Sequence, residues 1–179
     1  MRVIAVLACA LAVAACGSAA QTAAPTPITS SSAGGGGGAS GANLKGPYDV
    51  VQSVDGDTIR VMRDGEEIKV RFIGIDTPET VAQDRPVECF GPEASGRTKE
   101  LVEGTRVWLE SDPVSGDTDK YGRTLAYVWL TPDVMLNELL IREGYAEEYT
   151  YQEGYRYQQL FRDAESAAQA EGLGLWSAC

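Results

Sequence analysis

Between Tyr48 and Ile75 apolar and polar residues alternate with a period close to two, the signature of half-buried strands. Residues 48–54 form a strand-like run into Asp55-Gly56, a dipeptide favoured in tight hairpin turns. Residues 57–63 return with Ile59 and Val61 alternating, and Asp64-Gly65 marks a second turn. In 67–75, Ile68, Val70 and Phe72 share one face while Lys69 and Arg71 take the other. Gly91-Pro92-Glu93 then opens a helix, with Pro near its first position, and Gly104 closes it. Residues 107–110 and 123–130 read as two more strands, separated by a polar loop rich in Asp and Gly. Thr131-Pro132-Asp133 predicts the start of a second helix, with Leu136, Leu139 and Leu140 on one face and Gly144 as its cap. A third helix is expected over about 153–170, where Tyr157, Leu160, Phe161, Ala164, Ala167 and Ala168 recur at helical spacing.

These elements place the chain in the α+β class, mainly β. A small closed barrel such as a five-stranded OB-fold with three helices accommodates them, and so does an open α+β sandwich. The barrel domain would occupy 46–179. Residues 1–15 read instead as a secretory signal, with Arg2 ahead of an apolar run too short to span a bilayer as a mature helix. The run ends Val13-Ala14-Ala15-Cys16-Gly17, similar to a bacterial lipobox, in which the peptide is cut before a Cys that carries lipid. The expectation is export, with a lipid at Cys16 anchoring the protein to the outer face of the cell membrane. An ordinary signal cut at a small-residue site would release it instead. From Cys16 to Lys45 the chain is mostly Ala, Ser, Thr, Pro and Gly, including five consecutive glycines at 34–38, and reads as a flexible tether. Cys9 leaves with the signal, so Cys89 and Cys179 remain as an expected disulfide in an exported protein, or as two free thiols.

Charge and chemistry narrow the function. The 179 residues carry 15 Lys+Arg, 26 Asp+Glu and no His, a net charge of −11. The lack of His excludes a Ser-His-Asp triad, a Cys-His dyad, His-ligated zinc and a His general base. Arg2 and Lys45 precede residue 46 and every acid follows it, leaving 13 cations against 26 acids, a net −13, in the domain. Such a surface disfavours a polyanionic partner unless its cations converge in one cleft.

Three polar clusters interrupt the pattern: Asp55-Gly56-Asp57-Thr58, then Arg71 followed by Asp76-Thr77-Pro78-Glu79, then Asp119-Lys120-Tyr121-Gly122-Arg123. Each alone reads as a turn. Together they hold a chemical logic. Asp57 and Asp76 begin and end neighbouring strands and can converge, and two carboxylates with a backbone carbonyl suit Ca²⁺. Arg71 and Arg123 offer two rigid forks for phosphate oxygens, and Glu79 can take a proton from water or orient it.

In order and spacing the clusters resemble the staphylococcal nuclease (thermonuclease) family over nearly all of 48–177, with Gly91-Pro92-Glu93-Ala94, Tyr149-x-Tyr151 and the run from Leu173 to Trp176 as further matches. The resemblance implies an OB-fold barrel with three helices. It also implies a calcium-dependent endonuclease that hydrolyses DNA and RNA, single strands preferred, at the 5′ P–O bond to leave 3′-phosphates. Asp57, Asp76 and the Thr77 carbonyl would hold Ca²⁺, Glu79 would be the general base, and Arg71 and Arg123 would stabilise the phosphate. Lys120 and Tyr121 would contact a neighbouring phosphate, and Tyr149 and Tyr151 would line the nucleotide pocket, unless they pack on the third helix. The protein is expected to act as a monomer.

The best-known members are basic, and the 80–88 stretch, often Lys-rich there, carries Asp84 and Glu88 here. That bears on substrate affinity more than on catalysis. A catalytically silent nucleic-acid or protein-binding module, or a hydrolase for small phosphodiesters, would be the alternatives on the same fold.

Overall fold

The computed structural model describes residues 43–80 and 86–179. The signal segment, Cys16 and the tether up to residue 42 lie outside the described residues, as does Asp84. Three strands form the expected meander: β1 (Lys45–Ser53), β2 (Thr58–Arg63) and β3 (Glu66–Phe72). β1 starts at Lys45 and Leu44 packs against the core, so the folded unit takes in the end of the expected tether. Asp64 and Gly65 both have positive φ, 54° and 84°, and let Arg63 pair directly with Glu66 in a two-residue hairpin.

A short β4 (Ile75–Asp76) follows, then α1 (Gly91–Val102), β5 (Arg106–Glu110) and β6 (Thr124–Thr131). The order β3-β2-β1-β5-β6 closes on itself because β3 pairs in parallel with β6, Arg71 lying opposite Leu125. The sheet is therefore a closed five-stranded mixed barrel of OB type, and the open sandwich is excluded. Its interior is filled by Ile59, Val61, Val70, Phe72, Val107 and Tyr127.

Two helix starts differ from expectation. Pro132-Asp133 turns the chain into β7 (Val134–Met135), so α2 (Leu136–Arg142) begins at Leu136. α2 buries Leu136, Asn137, Leu140 and Ile141, with Leu139 half-buried. β8 (Glu147–Glu148) then pairs with β4, and α3 (Gln158–Glu171) starts five residues later than expected. Gly154, at φ +84°, turns the chain there and sends Tyr155 into the core. In α3 Phe161, Ala164 and Ala168 are buried, whereas Leu160 and Ala167 face solvent. A last turn, α4 (Leu175–Ala178), seats Leu175.

Two buried acids brace the barrel at the foot of α3. Asp112 accepts hydrogen bonds from Tyr127 Oη and the Arg156 N–H, both at 2.8 Å. Glu110 accepts from Trp129 Nε1 at 3.1 Å and Tyr157 Oη at 2.9 Å, and pairs with the Arg156 guanidinium. Paired in this way, both acids meet the requirement that buried charges be compensated.

Candidate active site

The closure of the barrel builds the site. Because Arg71 sits opposite Leu125, the end of β3 lies beside the start of β6, with Arg123 two residues earlier. Across β2, Thr58 pairs with Arg71 and the Phe72 N–H donates to the Asp57 carbonyl at 2.9 Å, which brings Asp57 alongside. The Ile73-Gly74 turn then folds Asp76 back onto Arg71. Gly74 is required there: φ is +76°, and a Cβ would stand 2.8 Å from the Tyr155 ring.

Arg71 is the hub. Its Nη1 donates to the carbonyls of Phe72 and Ile75, at 2.9 and 2.8 Å. Its Nη2 lies 2.7 Å from Asp76 Oδ1 and 3.1 Å from Asp57 Oδ2. Asp57 is buried, and its Oδ2 also accepts the Thr77 N–H at 3.1 Å and the Thr77 hydroxyl at 3.2 Å. Gly56 permits this approach, since a Cβ on it would stand 2.5 Å from Thr77 Oγ1.

The electrostatics are lopsided. Burial lifts the Asp76 carboxyl, the Arg71 guanidinium pulls it back and the Asp57 charge adds to the rise, which leaves it at about 6. Asp55 is likewise pushed up to about 6, by burial and by Asp57. Negative charge here thus exceeds what the arginine compensates, and a hard divalent cation is the group that such an oxygen set fits. Among the described residues no three acidic or cysteine side chains are placed to hold an ion together. The protein would therefore supply Asp57, Asp76 and the Thr77 carbonyl, the rest coming from water and substrate.

A cavity of about 260 Å³ is lined by Asp55, Asp57, Arg71, Asp76, Thr77, Pro78, Glu79, Tyr121 and Arg123. Glu79 is held there through backbone and side chain: its N–H donates to Glu88 Oε2 at 2.9 Å, and its Oε1 accepts the Thr80 N–H at 2.9 Å. The Arg123 Nε donates to Asp119 Oδ2 at 2.6 Å. Burial alone would raise the Asp119 carboxyl, but hydrogen bonds from Arg123 and from the Tyr121 backbone outweigh it and hold it below the usual carboxylate range. The exposed Tyr121 ring carries Lys120 Nζ 5.0 Å and the Arg123 guanidinium 5.5 Å from its centre.

An adjoining groove of about 480 Å³ shares Arg71, Asp76, Tyr121 and Arg123 with the first cavity and adds Lys120, Tyr149 and Tyr151. Tyr149 and Tyr151 are 47% and 77% exposed, so they line the groove rather than pack on α3, which Tyr155 and Tyr157 do. The expected metal, catalytic and substrate-binding residues therefore line two connected cavities. The lipid site at Cys16 lies outside the described residues, and Cys89 and Cys179 are joined as a disulfide away from both cavities.

Sequence reasoning missed three contributors. Asp55 lines the smaller cavity, where its place beside Asp57 was the available signal. Thr98 of α1 donates to the Gly56 carbonyl at 2.6 Å and fixes the Asp57 loop. The buried Asn137 of α2 accepts the Val128 N–H at 2.9 Å and donates to the Ile73 carbonyl at 2.8 Å, bracing the turn before Asp76. Neither Thr98 nor Asn137 has a local signal.

A family model described as staphylococcal nuclease homologue matches residues 69–178. A thermonuclease of Staphylococcus hyicus is 45% identical over 130 residues, covering 73% of this chain and 75% of its own length. A thermonuclease of Staphylococcus intermedius is 44% identical over 138 residues, covering 76% and 80%. The endonuclease YncB of Bacillus subtilis (strain 168) is 41% identical over 128 residues, covering 70% of this chain and 59% of its own length. With more than half of the chain inside the family model and two relatives aligned over about three quarters of either length, this protein belongs to the staphylococcal nuclease family.

Proposed function

We propose that this protein is a nuclease of hydrolytic type that cleaves single-stranded DNA and RNA with Ca²⁺, breaking the 5′ P–O bond and leaving 3′-phosphates. The observation that carries the reading is the convergence of Arg71, Arg123, Asp57, Asp76 and Glu79 on one 260 Å³ cavity that opens beside an aromatic groove. Without His, that set still contains what phosphodiester hydrolysis needs: a base, two anion clamps and a cation site.

In this reading Asp57, Asp76 and the Thr77 carbonyl hold Ca²⁺, which supplies positive charge beside the phosphate. Arg71, anchored on two backbone carbonyls, and Arg123, anchored on Asp119, present guanidinium groups to the phosphate oxygens. Their value rises as charge accumulates on those oxygens, so they act on the transition state more than on binding. Glu79 accepts the proton of the attacking water. Lys120 offers a charge to a neighbouring phosphate, and Tyr121, Tyr149 and Tyr151 offer exposed ring faces to bases. Export and a lipid anchor at Cys16 complete the proposal, on the strength of the residues from Arg2 to Gly17.

The test is digestion of an end-labelled single-stranded oligonucleotide with Ca²⁺ and then with chelator, followed by analysis of the product ends. Loss of cleavage in chelator, recovery near the roughly 10⁻⁴–10⁻³ M Ca²⁺ typical of extracellular sites, and 3′-phosphate ends are expected. Full cleavage in chelator would show that the acids are turn residues only. The domain's net charge of −13 favours one second reading, a hydrolase for short phosphodiesters. A dinucleotide cleaved with higher kcat/KM than a long strand would establish it.

A further inference from the structure

Glu79 is held by a seat with a covalent fastening. One residue engages both polar atoms of its peptide backbone: the Glu79 N–H donates to Glu88 Oε2, and the Glu79 carbonyl accepts the Glu88 N–H, each at 2.9 Å. Gly91 lets the chain close on the same stretch, since a Cβ there would stand 2.9 Å from the Glu79 carbonyl oxygen and 3.2 Å from that of Pro78. Between Glu88 and Gly91 lies Cys89, bonded to Cys179 with Cα atoms 6.0 Å apart. Cys179 directly follows α4, which is secured by the buried Leu175 and by its N–H donating to the Gly144 carbonyl at 2.9 Å.

α1 has anchors besides this bond. Arg97 reaches Glu143 at 2.8 Å, and Phe90 stacks on Tyr145 with ring centres 5.4 Å apart. Both contacts lie at or beyond Phe90, so the disulfide bears on the residues just ahead of the helix, where Glu88 stands exposed. Both cysteines are also exposed, within reach of a small reductant.

We propose that the Cys89–Cys179 disulfide, acting through Glu88, is a positioning device for Glu79, so that turnover depends on the redox state of this pair. The proposal rests on Glu79 as the proton acceptor. Reduction breaks the Sγ–Sγ bond, a dithiol donates two electrons and two protons, and it leaves as a cyclic disulfide while Cys89 and Cys179 become thiols. The seat then loses its link to the C-terminal turn, and the Glu79 backbone gains freedom at the position where catalysis needs it fixed.

The experiment measures kcat and KM on a fluorescent single-stranded oligonucleotide in Ca²⁺, before and after reduction with dithiothreitol. Thiol titration and a thermal melt accompany each sample, and the Cys89→Ser/Cys179→Ser variant serves as the non-reducible control. Loss of the disulfide should lower kcat about three- to tenfold, with KM changing less than about twofold. Dithiothreitol should not alter the control. In a Glu79→Gln background, loss of the disulfide should produce no further fall. Glu88→Ala, with the disulfide intact, should reproduce the loss, and Glu88→Gln, whose amide oxygen still accepts the Glu79 N–H, should retain most activity. This pair decides the matter if the disulfide variant melts below the assay temperature. Unchanged kcat after confirmed reduction, an equal loss in the Glu79→Gln background, or equal activity in Glu88→Ala and wild type would overturn the proposal. A slow Glu79→Gln with an inconsequential disulfide would remove only this inference, whereas a fully active Glu79→Gln would remove the role of Glu79 as well.

Discussion

Asp119 holds Arg123 at both ends of the residue. Its Oδ1 accepts the Arg123 backbone N–H at 2.9 Å, and its Oδ2 accepts the side-chain Nε–H at 2.6 Å. The carboxylate thus sets both where the turn ends and where the guanidinium points. Asp119→Asn keeps one acceptor but turns an amide N–H₂ toward Nε or the backbone N–H, so the grip fails at one end. The expected result is a fall of about tenfold in kcat with a smaller change in KM, as for a misplaced clamp. Steady-state kinetics of the variant would check this, and wild-type kcat would show that Arg123 orients itself.

Arg71→Lys and Glu79→Gln should each lower kcat far more than nucleic-acid affinity. A lysine cannot span the Phe72 and Ile75 carbonyls and both acids at once, so the anchors that fix the cation beside Asp57 and Asp76 are lost. With Glu79 as the proposed proton acceptor, its removal should cost roughly 10²–10⁴-fold. Binding of a non-cleavable single strand, measured beside turnover, separates the two quantities. Near-normal turnover in both variants would remove the mechanism.

The acidic surface predicts an unusual salt response. A domain at −13 repels a polyanion at long range, and salt shortens that repulsion as the Debye length falls from roughly 30 Å at 0.01 M to 8 Å at 0.15 M. Salt also weakens the local contacts of Arg71, Lys120 and Arg123 through counterion release, but with so few cations that loss should be shallow. The kcat/KM on single-stranded DNA should stay flat or rise between about 0.01 and 0.1 M NaCl at fixed Ca²⁺. A steep monotonic fall would reveal a basic face that the charge count hides.

Asp112 predicts an acid limit to stability. Burial alone would raise its carboxyl, but hydrogen bonds from Arg156, Tyr127, Val114 and Ser115 hold it below the ordinary value. A depressed folded value contributes stability that is fully present above the unfolded value near pH 4 and is lost as pH falls through the folded one. Asp112→Ala would leave the buried Tyr127 hydroxyl without its acceptor and should cost about 3 kcal/mol at neutral pH. The gap between denaturant melts of the two proteins should narrow as pH falls below about 4, as the charge-linked part of the contribution is lost. A gap independent of pH would place the contribution in packing instead.

Much of the fold was legible because it is local. Asp64-Gly65 announces its hairpin through two positive φ angles that few other residue pairs tolerate, and Gly91-Pro92 announces α1. The barrel closure was legible through the family resemblance and not from the local pattern, which also allowed an open sandwich, since it joins Val70 to Thr124, two strand ends far apart in sequence. Thr131-Pro132-Asp133 carries helix-start chemistry, yet the same residues make a tight turn, and only pairing of Trp129 with Met135 decides between them. The candidate site residues stood out only as three clusters taken together, since Asp, Gly and Pro are ordinary turn residues, and it is the fold that brings them onto shared cavities. Their supports did not stand out: Thr98 and Asn137 act through single hydrogen bonds to backbone carbonyls 42 and 64 residues away.

The ring of strands also governs how copies of the protein behave toward one another. An open sheet ends in a row of unpaired N–H and C=O groups, a template on which another chain can add a strand and seed aggregates. Here Val70–Phe72 of β3 pair with Thr124–Ala126 of β6 and close that stretch, the open part of β3, Glu66–Lys69, carries three charges, and the other strands left at a margin among the described residues are the two-residue β4, β7 and β8. Pieces that short offer too little ladder for a neighbour to grip. The bond pattern that brings Arg71 beside the start of β6 thus also keeps crowded copies from knitting together edge to edge.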